Sequence, residues 1–150
     1  MRSVAAVAVL IFVNAFNAAW AAEGMVAMRS PHSASETMNR FETAVKKLGL
    51  KVFARVDHAA GAKSIGRELR PTEVLIFGNP QGGTALMECA QSVGIDLPLK
   101  ALAWEDERGQ VWLGYNDPAY LAKRHEVSGC KAFGAIDKAL SELSAAAIAN

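Results

Sequence analysis

The residues whose types could carry chemistry lie mainly between Val52 and Lys100, and the first of them is the pair Asp57-His58. An imidazole can act as a general base while a neighbouring carboxylate orients a nearby group. A metal role for His58 is a second interpretation, and a histidine held by hydrogen bonds at a strand corner is a third. Zinc and copper sites need three or four ligands. The further candidate ligands are scattered along the chain: His32, Met87, Glu88, Cys89 and His125.

A glycine-rich turn from Gly78 to Thr84 is the second candidate site. We expect Gly82-Gly83-Thr84 to come directly before a helix, where unpaired backbone amides and the helix dipole attract phosphate or carboxylate. Arg70 or Lys100 would supply the counter-charge. The lysine that follows the last glycine of a nucleotide-binding P-loop is missing, so that motif is excluded. A tight turn without a ligand is the alternative. The expected ligand-binding residues are Arg70, Asn79, Gly82, Gly83, Thr84 and Lys100.

Nucleophilic catalysis is not indicated by the cysteines or serines. Cys89 shares an apolar helical stripe with Leu86 and Val93, whereas a reactive thiolate needs a nearby base. The sequence has no Gly-x-Ser-x-Gly turn. In an oxidising compartment Cys89 and Cys130 could instead pair, closing a loop of about forty residues and stabilising the fold by roughly 3–4 kcal/mol. A small, buried, unpaired Cys89 is the alternative.

The elements that must position these residues begin with a possible edge strand at Met25–Met28 and a helix. Ser33 and Glu36 form a capping box at the start of the helix, and Gly49 is placed to end it. Its apolar side chains recur at three- and four-residue steps: Met38, Phe41, Val45 and Leu48. Alternation then predicts a strand from Lys51 to Asp57 with one face buried.

The second half of the chain continues with strands and helices in mixed order. Six elements are predicted: a central strand at 72–77, a helix at 84–93, a hairpin of strands 100–105 and 111–115, a short helix capped by Asp117-Pro118, and a final helix from Lys131 to about Ala147. Trp104 and Trp112, on facing hairpin strands, are expected in a core or an interface. The order favours a single small α+β domain, with helices packed on a largely antiparallel sheet.

The beginning of the chain is typical of a cleaved secretory signal peptide, residues 1–21, which leaves 22–150 as the domain. A basic start precedes an apolar run from Val4 to Val13, and Ala19-Trp20-Ala21 places small residues at the cleavage position. The apolar run is too short to span a membrane. We therefore expect a periplasmic or secreted protein without stable membrane insertion.

Charge gives no support for binding to nucleic acid or to a membrane surface. Without Arg2, 15 of the 16 Lys and Arg residues remain, against 15 Asp and Glu residues, so the formal net charge is zero. Nucleic-acid-binding domains carry a basic patch or stripe that this evenly mixed sequence lacks.

Six ordered motifs resemble the bacterial DUF302 family, a domain of unknown function. They are Val-Asp57-His58-Ala-Ala-Gly-Ala, Leu-Arg70-Pro71-Thr72-Glu, Phe-Gly78-Asn79-Pro80, Gly-Thr84-Ala-Leu-Met87, Asp96-Leu97-Pro98-Leu99-Lys100 and Gly-Tyr115-Asn116-Asp117-Pro118. The resemblance extends from about Met25 to His125. It implies a small α+β fold and dimerisation, and it implies no established activity. The two cysteines are not part of the family pattern.

Taken together, the sequence predicts a dimeric, non-enzymatic domain that binds a small polar or anionic ligand, with no cofactor. The expected surface combines Asp57-His58 and Arg70 with Asn79, the segment Gly82–Thr84 and Lys100. A metal-binding protein that uses His58 is one alternative. An enzyme with His58 as general base is another, although the sequence supplies no nucleophile for it.

Overall fold

The computed structural model describes residues 21–150. The predicted signal peptide, apart from Ala21, lies outside the described residues. These residues contain five strands: β1 (Met25–Ser30), β2 (Lys51–Asp57), β3 (Thr72–Gly78), β4 (Leu99–Glu105) and β5 (Val111–Asn116). Five α-helices and one 3₁₀ helix accompany them: α1 (Ala34–Lys47), α2 (His58–Ser64), α3 (Pro80–Cys89), α4 (Pro118–Arg124), α5 (Ala132–Ile148) and the 3₁₀ helix Gln91–Asp96.

All strand pairs of the sheet are antiparallel, in the order β1-β5-β4-β3-β2. The strand β3 therefore lies inside the sheet, as its apolar sequence predicts, and β1 and β2 form the two edges. The predicted hairpin is β4 and β5, with Trp104 opposite Trp112. The α+β fold with a largely antiparallel sheet is confirmed.

One face of the sheet carries the main core. Leu75 and Phe77 of β3 are fully buried, while the residues that alternate with them, Val74 and Ile76, are only partly buried. The helices α1 and α5 pack on the buried face, where the Phe41 ring meets the Phe77 ring edge-on with centroids 5.3 Å apart. This arrangement follows from the period-two alternation of a strand that has one covered face.

The opposite face of the sheet is apolar but belongs to neither hydrophobic core of the described residues. Its residues include Val74, Ile76, Leu102, Trp104 and Trp112. The two indoles stack with centroids 6.4 Å apart, and the Arg29 guanidinium lies 5.4 Å from the centroid of the Trp112 ring.

The helix after β3 begins earlier than the sequence predicts. Pro80 occupies its first turn and Asn79 is its N-cap, so Gly82 and Gly83 lie inside the helix rather than before it. The helix ends at Cys89 because Ala90 adopts an extended backbone, and the 3₁₀ helix contains the rest of the segment predicted as helical. Within residues 21–150, no helix has the length and apolar character to cross a membrane.

Candidate functional site

The predicted site residues separate into two groups at opposite ends of β3. Arg70 lies just before this strand, and Asp57 pairs with Glu73 near the same end. Asn79 follows the last residue of the strand, and Lys100 pairs with Ile76 near that end. Seven residues of strand span roughly 23 Å. The single surface expected from the sequence is therefore not formed, because an extended strand separates the two halves.

At the Asn79 end, the structure contains an apolar pocket of about 590 Å³. Its walls are the end of α1, strand β2, the ends of strands β3 and β4, the helix α3, the 3₁₀ helix, and one side of α5. The lining residues are Leu48, Leu50, Phe53, Phe77, Gly78, Asn79, Pro80, Gln81, Gly82, Gly83, Thr84, Leu86, Met87, Gly94, Leu97, Pro98, Leu99, Ala135, Ile136, Ala139, Leu140 and Leu143. None of these side chains is titratable.

The backbone amides expected to hold an anion are already hydrogen-bonded within the helix. The Gly82 N–H donates to Asn79 Oδ1 at 2.7 Å, and the Gly83 N–H donates to the Asn79 carbonyl oxygen at 3.1 Å. Lys100 donates through Nζ to the Pro98 carbonyl oxygen at 2.9 Å, and it does not line the pocket. This end of β3 therefore favours an apolar molecule over the anion that the sequence predicts.

Gly82 makes room for the cap of α3. A Cβ on Gly82 would lie 3.1 Å from Asn79 Oδ1, which is tighter than an ordinary van der Waals contact, and 3.6 Å from the Ile136 side chain. A Cβ on Gly83 would lie 3.7 Å from the Leu97 side chain, which is an ordinary contact. Bare backbone therefore matters at Gly82, where Asn79 Oδ1 lies close and accepts the N–H.

The rim of the pocket exposes large apolar side chains. Leu48 and Phe53 are about half exposed, at 49% and 48%, and Met87 is 37% exposed. Apolar side chains grouped around a concavity mark a ligand-binding or interaction surface more often than the same residues scattered singly. This group was not identified from the sequence. Its signals in the sequence are Phe53, on the exposed face of β2, and the leucine just after α1.

At the Arg70 end, a polar groove of about 770 Å³ is lined by Asp57, Ala59, Ala60, Lys63, Arg67, Glu68, Leu69 and Arg70. Two of the predicted residues have structural hydrogen bonds here. The Asp57 carboxylate accepts the Ala60 N–H at 2.8 Å and so caps α2, and Arg70 Nε donates to the Glu105 carbonyl oxygen at 3.2 Å.

His58 is exposed at the first position of α2. Within the described part of the chain, no group of three or more His, Cys, Asp or Glu side chains is placed to hold a metal ion. The roles of His58 as metal ligand and as general base stay predictions.

A disulfide joins Cys89 to Cys130, with Cα atoms 6.1 Å apart. It connects the last residue of α3 to the loop before α5, and both helices contribute walls to the pocket. The second hydrophobic core lies beside it, formed around Leu86, Val93 and Phe133. The disulfide therefore supports the pocket end of the molecule and not the groove end.

Comparison with known proteins gives a family and a fold. The family described as "Domain of unknown function DUF302" matches residues 26–143. The crystal structure of an uncharacterized conserved DUF302 protein from Bacillus stearothermophilus superposes with a TM-score of 0.72, covering 81% of this chain and 96% of that chain at 22% sequence identity.

Two curated relatives are longer proteins from Brucella. Each is named "Fluoride-specific ion channel FluC 1", one from Brucella suis biovar 1 (strain 1330) and one from Brucella abortus biovar 1 (strain 9-941). The chain is 55% identical to each over 104 residues, which is 69% of this chain but only 41% and 38% of theirs. The chain thus spans about two fifths of the length of these relatives.

Proposed function

The chain belongs to the DUF302 family, and we propose that this member binds a small apolar molecule in the pocket between α3, α5 and the end of the sheet. The observation that carries the proposal is a cavity of about 590 Å³ lined without a titratable side chain. Small-molecule sites are typically concave and mostly apolar, with volumes of roughly 300–1,000 Å³.

Binding without chemistry fits the pocket lining. General acid–base catalysis needs a titratable group within hydrogen-bond reach of the reacting atom, and the lining offers only the amides of Asn79 and Gln81 and the hydroxyl of Thr84 as polar side chains. Asn79 Oδ1 already caps α3. The polar groups at the mouth would orient a ligand whose apolar body contacts Phe53, Leu97 and Leu143.

The test is titration with the uncharged fluorophore N-phenyl-1-naphthylamine. We expect saturable enhancement of its fluorescence, and we expect Ala139→Trp, which places an indole in the pocket, to weaken binding at least about tenfold. Ala145→Trp is the matched control, because Ala145 lies on the exposed side of the same helix and does not line the pocket. Equal binding by both variants, or no saturable binding by the parent protein, would exclude the pocket as the site.

We propose that the partner of the domain is a second copy of the same chain. The sheet face opposite α1 and α5 supports this, because it presents Val74, Ile76, Leu102 and Trp104 outside both cores of the described residues. Two sheets can pack face to face about 10 Å apart and bury such residues. Sedimentation should give twice the chain mass, and Trp104→Glu should give a monomer, whereas Lys138→Glu on α5 should stay dimeric. A monomeric parent protein would refute this.

The site of action that we propose is the periplasm or the extracellular space. The apolar run and small residues at the start of the sequence support a cleaved signal, and an oxidising compartment would maintain the bond between Cys89 and Cys130. Cell fractionation with an antibody against the protein tests this. Recovery of the unprocessed chain in the cytoplasm would contradict it.

A second candidate function rests on the Brucella relatives, whose names describe fluoride-specific ion channels. The 55% identity over 104 residues supports a role for this domain beside such a channel. The test is fluoride efflux from vesicles that contain a fluoride-specific channel from the same cell. A changed efflux rate when the protein is added would support the role, and an unchanged rate together with no binding to the vesicles would remove it.

A further inference from the structure

A serine, a histidine and an aspartate that line neither the pocket nor the groove make a continuous hydrogen-bonded chain. Ser92 Oγ lies 2.9 Å from His125 Nδ1, and His125 Nε2 lies 2.6 Å from Asp96 Oδ2. Ser92 and Asp96 belong to the 3₁₀ helix, and His125 is the C-cap of α4. Along the chain, His125 is 33 positions from Ser92 and 29 positions from Asp96.

The three side chains differ in burial in the way that their roles in a nucleophilic triad require. The side chains of His125 and Asp96 are only 6% and 10% exposed, whereas Ser92 is exposed to solvent. Arg124 Nη1 also donates to Asp96 Oδ1 at 2.9 Å, which fixes the carboxylate from its other oxygen. The base and its orienting carboxylate are thus held in the protein, and the hydroxyl is open to a substrate.

The hydrogen bonds assign the proton on the imidazole. The Asp96 carboxylate can only accept, so Nε2 carries the hydrogen in the neutral ring and Nδ1 presents its lone pair to the Ser92 hydroxyl. This is the division of roles in a Ser-His-Asp triad, with the two ring nitrogens exchanged. A triad is recognised by such geometry and roles rather than by sequence position.

We propose that Ser92, His125 and Asp96 hydrolyse small activated esters. Ser92 Oγ attacks the carbonyl carbon while its proton passes to His125 Nδ1, and the leaving alcohol takes that proton as its C–O bond breaks. Water then attacks the acyl-serine, gives a proton to Nδ1, and releases the carboxylic acid as the proton returns to Ser92 Oγ. Ester and water are converted to acid and alcohol, and water is the only co-reactant.

The surroundings of Ser92 define the substrate class. Side chains three residues apart eclipse each other in a 3₁₀ helix, so Ile95 lies on the same side as Ser92, and it is 73% exposed. Ser92 lines neither the pocket nor the groove. The site therefore suits a short apolar acyl group that rests on Ile95, joined to a good leaving group, such as p-nitrophenyl butyrate.

The test combines covalent labelling with kinetics on the purified protein. A fluorophosphonate probe should label the peptide that contains Ser92, and Ser92→Ala and His125→Gln should each lower kcat/KM for p-nitrophenyl butyrate by at least about tenfold. Ser128→Ala is the matched control, because Ser128 is also exposed and lies outside the hydrogen-bonded chain. Ile95→Ser should lower the butyrate rate more than the acetate rate.

The proposal would be overturned by unchanged hydrolysis in Ser92→Ala, or by a label at another residue. A loss in His125→Gln without a loss in Ser92→Ala would also overturn it, because the imidazole alone would then be the nucleophile. Ser92 is exposed, and among the described residues its side chain makes one hydrogen bond, to His125, so its replacement by alanine leaves the fold in place. Binding of N-phenyl-1-naphthylamine stays a separate readout of the pocket.

Discussion

The two ends of β3 place different chemistry on one strand. At the Gly78 end the strand leads into the apolar pocket, whose lining has no titratable side chain, while at the Thr72 end it begins beside a groove that contains Asp57, Lys63 and Arg67. The pocket end is supported by both hydrophobic cores and by the disulfide. The groove end is supported by exposed hydrogen bonds. The difference shows that residues near each other in the sequence can belong to sites at opposite ends of a sheet.

The largest expected effect of a single substitution is at Phe77, on the pocket end of β3. Its side chain is fully buried against Phe41 and also lines the pocket. Phe77→Ala should lower the free energy of unfolding by about 3–5 kcal/mol, measured by urea denaturation. Thr72→Ala, at the other end of the strand, removes one side-chain hydrogen bond to Arg70 and should cost about 1 kcal/mol. Equal losses of unfolding free energy in the two variants would contradict the proposed difference between the two ends of β3.

Removal of the disulfide should affect the pocket end selectively. Cys89→Ala with Cys130→Ala opens a loop of 41 residues and should lower the free energy of unfolding by roughly 3–4 kcal/mol. Binding of N-phenyl-1-naphthylamine should weaken, because α3 loses its covalent connection to the loop before α5. Hydrogen exchange should increase in α3 and leave α2 unchanged. Increased exchange in α2 alone would contradict this explanation, because it would show that the disulfide stabilises the groove end.

The two helix N-caps give a matched pair of smaller effects. Asn79 caps the ten-residue α3 beside the pocket, and Asp57 caps the seven-residue α2 beside the groove. Each alanine substitution should cost about 1 kcal/mol or less of stability. Only Asn79→Ala should also weaken binding of the uncharged fluorophore, since its helix forms the pocket wall. Weaker binding in Asp57→Ala would indicate that the two ends are coupled.

The smallest effect is a pH response at the groove end. The Trp112 indole N–H donates to Asp106 Oδ2 at 2.8 Å and is the main reason that the pKa of Asp106 is lowered from its usual value near 3.8. A lowered folded-state pKa means that the contribution to stability is present above the unfolded-state value. It is lost as the pH falls through the folded-state value.

Tryptophan fluorescence should therefore change as the pH falls below about 4, and Asp106→Asn should remove that transition. Fluorophore binding should show no matching transition, because the pocket lining does not titrate. If fluorophore binding changed with pH in parallel with the tryptophan signal, the two ends of β3 would not be independent.

Much of the fold could be predicted because its signals are local. The capping serine of α1, Ser33, accepts the Glu36 N–H as its spacing predicts, and the β4–β5 hairpin follows from two apolar runs around a turn. The helix α3 begins earlier than the sequence predicts, because Asn79 and Pro80 are typical of a turn, and only the contact of the Asn79 side chain with the Gly82 N–H identifies them as a helix start. The candidate site is harder to predict from the sequence, since motif spacing does not show which end of a strand a residue occupies.

By itself, the sequence determined the family, the α+β class and the position of β3 inside the sheet, because periodicity and turn residues act over a few neighbours. Only the tertiary structure decided which residues share a site. It separated Arg70 from Asn79 by the length of a strand, enclosed an apolar pocket among several helices and strands, and brought Ser92 and Asp96 to His125. Such contacts join distant parts of the chain, and no local pattern encodes them.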